Sequence, residues 1–137
     1  MRRSHSTVIA AAGALAALAL PVRAHHSLED TFDLSRTVTL TGVVSEVQWA
    51  NSHVRLLIDV KGAADEVKTW SVEIKPPNAM ARLGVSPAMP RQAGEISVDV
   101  WPAKDGSLSA AGKTLTTADG TVYDVDDGMN WRSTVGR

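Results

Sequence analysis

The chain has 137 residues, with 14 basic side chains against 15 acidic ones and no cysteine. That length suits one domain with one core, and the absence of cysteine excludes disulfides, thiolate metal sites and thiol nucleophiles. Without a basic excess the composition also argues against nucleic acid as a partner.

Residues 1–24 read as an export leader. Arg2 and Arg3 form a basic start, Val8 to Leu20 an apolar stretch rich in Ala and Leu, and Val22-Arg23-Ala24 a cleavage site with apolar or small residues at the recognised positions. The apolar stretch is short of the roughly 20 residues that span a bilayer, so the chain is expected not to be membrane-spanning. Ser4, His5 and Ser6 follow the paired arginines where a twin-arginine signal has apolar residues, which favours general secretion. Cleavage after Ala24 would deliver a protein that starts at His25 to the periplasm or the extracellular space. It would remove three arginines and no acid, leaving 11 basic against 15 acidic side chains and a formal charge near −4. One domain with one core is expected over residues 25–123.

Strands follow. "TVTLTGVVSEVQW" (Thr37 to Trp49) is β-branched and alternating, with Val38 and Leu40 on one face and Val43, Val47 and Trp49 on the other parity. The change of phase beside Gly42 predicts a bulge or sharp coil there, which lets one long strand serve two halves of a barrel. "HVRLLIDV" (His53 to Val60) places Val54, Leu56, Ile58 and Val60 inward, "KGAADE" supplies a hairpin turn, and "VKTWSVEI" (Val67 to Ile74) alternates with Trp70, Val72 and Ile74.

The period then changes. "PPNAMARLGVSP" (Pro76 to Pro87) predicts one short helix, with Asn78 as N-cap, Ala79, Met80 and Leu83 at helical spacing, and Gly84 as the stop. A fourth strand is expected in "EISVDVWP" (Glu95 to Pro102), and a fifth around Lys113 to Thr117 after the turn "KDGS". "ADG" (Ala118 to Gly120) is a last turn, and residues 124–137, polar and without period, are expected to form a loose or disordered tail. The order strand, strand, strand, short helix, strand, strand predicts an all-β domain, a five-stranded OB-fold-like Greek-key barrel; another small barrel or sandwich with the same elements is its rival.

Several separate segments carry a family resemblance: "AHHS", "TLTGVVSEVQWANSH", "WSVEIKPPNAMARLG", and "VWPAKDGS" leading to "TLTTADG". Over about His25 to Gly120 the chain resembles a family of small exported bacterial proteins known as domain of unknown function 6152. The resemblance implies one exported β-rich domain and no particular activity. Two departures stand out. Asn51-Ser52-His53 replaces the family's Asn-Pro-His, which makes that turn less rigid, and the tail "YDVDDGMNWRSTVGR" has no counterpart.

The chemistry centres on histidine. A terminal His25 would offer its amine and its ring Nδ1 to one ion as a six-membered chelate, and a further imidazole would complete three nitrogens that suit Cu(II). His25, His26 and His53 are therefore the candidate metal ligands, with copper as the cofactor they would select. Glu29, Asp30 and Asp33 could add an oxygen ligand or orient a ring. Against this, exposed histidines beside a cleavage site bind copper adventitiously, and His53 could simply belong to a turn with Asn51 and Ser52.

Other signals are weaker. "DVDDGMN" (Asp124 to Asn130) resembles a calcium loop superficially, but Met129 and Val135 stand where an EF-hand has its glycine and final acid. Met80 and Met89 could be soft ligands, although Met80 reads as core. Trp70 reads as core, whereas Trp49 and Trp101, with Asn51, form a candidate ligand-binding rim of the kind on which an OB-fold holds a sugar or peptide. No Gly-x-Ser-x-Gly elbow or recognisable acid pair supports catalysis. Three readings follow, in this order: an exported binding module for a protein, peptide or glycan; a copper-binding or copper-trafficking protein; and a copper redox enzyme with an N-terminal histidine brace.

Overall fold

The computed structural model describes residues 28–127. His25, His26, the expected leader and residues 128–137 lie outside the described residues. The elements run α1 (Leu28–Thr31), β1 (Val38–Gln48), β2 (Val54–Lys61), β3 (Val67–Ile74), α2 (Pro77–Arg82), α3 (Met89–Gln92), β4 (Glu95–Pro102), β5 (Ser109–Thr116) and β6 (Val122–Asp124). No helix among the described residues is long and apolar enough to cross a membrane.

Five strands close on themselves. β1 pairs antiparallel with β4 over residues 38–43 and with β2 over residues 43–48, β2 pairs with β3, β4 with β5, and a parallel contact of β3 with β5 completes the circuit. This is the predicted all-β, OB-like barrel, and the long first strand does serve two neighbours. β6, which sequence periodicity missed, adds to the outer edge of β5.

The alternating residues fill the barrel as their parity requires. Leu40 and Val44 from β1, Val54, Leu56 and Ile58 from β2, Val72 and Ile74 from β3, Ile96, Val98 and Val100 from β4, and Leu115 from β5 form one buried cluster with Met80 and Val85. Removing such side chains from water supplies the main stabilisation, roughly 1.5–3 kcal/mol for each fully buried aliphatic side chain.

The phase of β1 differs from expectation. Residues 38 to 44 keep one parity inward, so that Gly42 and Val44 are buried and Val43 is exposed; the register against β2 slips between Val44 and Glu46. The bulge therefore lies at Ser45. Gly42 has a different role, because a Cβ on it would stand 2.2 Å from the carbonyl oxygen of Asp59 on β2. Only a residue without a side chain lets the two backbones approach so closely where β1 turns from β4 to β2.

The α2 region is built from proline at one end and glycine at the other. Pro76, not Asn78, is the N-cap: Pro77 occupies the first turn, where its missing N–H costs nothing, and Asn78 falls inside the helix. Gly84 ends it with φ of 82°. The Gly84 N–H bonds to the Ala81 carbonyl and the Val85 N–H to the Met80 carbonyl, a Schellman closure whose apolar pair, Met80 and Val85, is buried in the core.

Two further corrections concern the C-terminal third. β5 begins at Ser109, four residues before the expected Lys113, because Ala110, Ala111 and Gly112 lack the bulky alternation that marks a strand in sequence. They are small because space is scarce: a Cβ on Gly112 would meet Ile74 Cγ2 at 2.7 Å. The chain also remains part of the barrel beyond Tyr123, so the expected loose tail does not start at Asp124. Val125 is completely buried, its N–H bonds to the Lys113 carbonyl, and its carbonyl accepts from the Lys75 N–H. It thus fills the gap where β3 and β5 diverge.

Candidate functional site

The site begins with three pieces of backbone that meet at one end of the barrel. The first is the turn between β1 and β2, where the peptide bond Asn51–Ser52 is cis and His53 stands immediately before β2. The second is the segment after β6, held by Val125 and by Lys75 Nζ, which donates to the Asp124 carbonyl at 3.0 Å and lies 3.1 Å from its carboxylate. That places Asp127 on His53, with Nε2 to Oδ2 at 2.5 Å. On the other side of the ring, Nδ1 is 3.1 Å from the Ser52 hydroxyl. His53 and Asp127 are both partly exposed, at 33% and 27% of their side-chain surface.

The third piece is the segment ahead of β1. Phe32 forms an isolated bridge with Ala103, the Asp33 N–H bonds to the Pro102 carbonyl and the Lys104 N–H to the Thr31 carbonyl. Lys104 Nζ also reaches the Glu29 carbonyl at 2.6 Å. Phe32, Ala103 and Ala111 form a second apolar cluster with Leu28, Leu34 and Trp101. The segment is thereby fixed across the barrel, and Leu28 arrives in a narrow cleft whose wall includes His53, Glu73, Asp126 and Asp127.

The residues singled out from sequence are distributed unequally. His53 lines that cleft. Its carboxylate partner is Asp127, in the stretch expected to be a loose tail, and not Glu29, Asp30 or Asp33. The Asp33 carboxylate instead accepts from the Ser35 hydroxyl and backbone N–H, which hold its pKa below the ordinary carboxylate value. Asp30 is exposed. Met80 belongs to the core, as expected. Among the described residues, no three His, Asp or Glu side chains stand together as a metal site.

The tryptophans do not make one surface. Trp49 follows the last residue of β1 and packs on the main core, whereas Trp101 belongs to the Phe32 cluster. Val100 pairs with Val38, so Trp101 stands beside the start of β1 and Trp49 at its end. At about 3.3 Å per residue, the strand between them is some 30 Å long or more. Trp101 is further occupied by Lys113, whose ammonium lies 5.0 Å from the ring centroid. Asn51 is exposed in the turn that follows Trp49.

Asp127 was missed because a run of polar residues conceals one buried valine. The signal was present as parity, since Tyr123 and Val125 continue the alternation on one face. The carboxylates that gave the stretch its likeness to a calcium loop are engaged locally, Asp124 by Lys75 and Asp127 by His53.

A closed five-stranded barrel with two short helices between its third and fourth strands, and a histidine–carboxylate pair at one end, defines the class as a small OB-like domain. The chain belongs to a family of unknown function, DUF6152, whose model matches residues 12–113. That span includes His25, His26 and His53 and ends before Asp127. No curated protein and no solved structure matches the chain.

Proposed function

We propose that this is an exported copper-binding protein that holds one Cu(II) between the N-terminus left by cleavage after Ala24 and His53. The observation that carries the reading is Leu28, which lines the same cleft as His53. An extended chain advances at most about 3.6 Å per residue, so a chain that begins three residues ahead of Leu28 begins close to the cleft in sequence. On this reading the terminal amine, a histidine ring and His53 share one ion whose ligand bonds are near 2 Å. Nitrogen donors without sulfur favour Cu(II) among the divalent first-row ions.

Binding or delivery of copper requires no further catalytic group, and no reaction is assigned. The alternative of a sugar or peptide held on a rim of Trp49, Asn51 and Trp101 has less support, because the two tryptophans stand at opposite ends of β1. The test is a Cu(II) titration, followed by electron paramagnetic resonance, of three untagged chains: one starting at His25, one with a residue added ahead of His25, and His53→Ala. One-to-one binding that weakens in both altered chains supports the reading. Binding equal in His53→Ala and the parent chain reduces it to chelation by the terminus alone and refutes the shared site.

A further inference from the structure

The end of the barrel that carries α2 and α3 differs in charge from the rest of the chain. Residues 75–94 include Lys75, Arg82 and Arg91 and no acid, although acidic side chains outnumber basic ones over the whole sequence. Lys75 is engaged by Asp124, whereas Arg91 is exposed and joins none of the ion pairs among the described residues. Arg91 stands on the wall of a groove between α3 and the end of β1, lined otherwise by Val47, Pro87, Ala88 and Gln92. The groove offers apolar surface beside one guanidinium, and no carboxylate in its lining answers that charge. The chemistry that fits it is an apolar side chain next to a carboxylate.

The chain carries such a segment elsewhere. The turn between β2 and β3 is closed by a bond from the Gly62 N–H to the Glu66 carbonyl at 2.7 Å, and every residue from Lys61 to Thr69 is exposed. Its tip presents Ala64, Asp65 and Glu66, followed by Val67 at 53% exposure. Asp65 joins no ion pair among the described residues, and Glu66 meets Lys68 only at 3.7 Å. Ala64 and Asp65 have φ of 63° and 58°, in the left-handed region that favours glycine. Backbone strain of this kind clusters where the side chains it carries make functional contacts.

Tip and groove cannot meet within one molecule. Val47 pairs with Leu56, and from there β2 runs on to Lys61 before the turn begins, about 17 Å at about 3.3 Å per residue.

We infer that the tip of the β2–β3 hairpin of one molecule docks in the Arg91 groove of a second copy. Asp65 and Glu66 supply the charge that Arg91 lacks, and Ala64 and Val67 the apolar surface for Val47, Pro87 and Ala88. The two surfaces differ, so the contact is heterologous: each copy gives one tip and one groove, and copies add head to tail into a ring or an open chain. One tip in one groove is smaller than the roughly 800 Å² per partner of a standard interface, which makes the association weak and reversible. It requires no metal and is independent of the copper reading.

The test is sedimentation velocity of the untagged chain starting at His25, with a chelator present, at low salt and at concentrations up to about 1 mM, a range that suits a contact this small. The weight-average sedimentation coefficient is expected to rise with concentration, and added salt to reduce the rise. Arg91→Glu, and separately the pair Asp65→Lys and Glu66→Lys, place like charges in the contact and are each expected to weaken association about 10-fold or more. Mixing these two variants in equal amounts pairs an acidic tip with Arg91 and a basic tip with the reversed groove, so association is expected to return. Arg36→Glu changes the net charge as much as Arg91→Glu and is expected to leave association unchanged. All the altered residues are exposed, and urea denaturation checks that each variant folds. A parent chain that stays monomeric throughout overturns the inference, as does association that Arg91→Glu leaves intact. Equal loss in Arg36→Glu, or two variants that fail to associate when mixed, overturns the pairing of tip with groove.

Discussion

Truncating Val125 distinguishes a segment that is part of the barrel from a tail that merely rests on it. Val125 is 0% exposed and packs against Gly112 and the main core. Val125→Ala removes two methyl equivalents, worth about 0.8 kcal/mol each in transfer from water. A residual cavity of roughly 50 Å³, at about 24 cal/mol per Å³, adds up to about 1.2 kcal/mol. The expected loss is therefore about 2–3 kcal/mol, less where the neighbours close in. At a slope of about 1.5 kcal/mol per molar, the urea midpoint falls by about 1.3–2 M. Val122→Ala is the internal control, since Val122 is 62% exposed on β6 and its truncation should change stability by no more than about 0.5 kcal/mol. Equilibrium urea denaturation followed by tryptophan fluorescence measures both variants. Equal, small effects in the two would mean that the chain is loose from Asp124 onward, and Asp127 would then have no fixed position beside His53.

The close approach of β1 to β2 makes a second prediction: Gly42→Ala forces a Cβ to within 2.2 Å of the Asp59 carbonyl, so the strands must part. The cost should be about 3 kcal/mol or more, whereas Val43→Ala, beside it but half exposed, should be nearly neutral; the reverse order would place the phase change at Gly42 after all. Acid stability supplies a third. Asp33, Asp105 and Asp119 have pKa values lowered chiefly by hydrogen bonds from the hydroxyls of Ser35, Ser107 and Thr117 respectively. A folded pKa below the unfolded one contributes stability that is complete above the ordinary carboxylate range and is lost as pH falls through the depressed values. Replacing all three by Asn should flatten the acid limb of stability against pH; an unchanged limb would show that these bonds do not differ between the folded and unfolded states.

Much of the barrel was legible because its strands are built from large β-branched and aliphatic side chains. Val54, Leu56 and Ile58, or Ile96, Val98 and Val100, alternate without interruption, and the hairpin between β2 and β3 falls where its turn residues place it. The errors arise where steric fit replaces hydrophobic size. Ala110, Ala111 and Gly112 look like a loop and are the tightest part of β5, where bulk would collide with Ile74. Gly42 marks a backbone contact, and the bulge that the phase change beside it predicts occurs at Ser45 instead. α3, a single turn containing Pro90, leaves no periodicity to read. At the site, His53 was visible as an isolated imidazole at the start of a strand. Its partner was not, because Asp127 comes to it from 74 residues away and is held there by one buried valine in an otherwise polar stretch.

The shared copper site is tested most directly by adding one equivalent of Cu(II) to the nitrogen-15-labelled chain that starts at His25 and following the paramagnetic broadening of backbone amides. An ion shared by the terminus and His53 should broaden Leu28 together with His53, Glu73, Ala111, Gly112, Asp126 and Asp127, the residues that surround the cleft. Broadening confined to the residues next to the terminus, with the amides of His53 and Asp127 unaffected, would contradict the account.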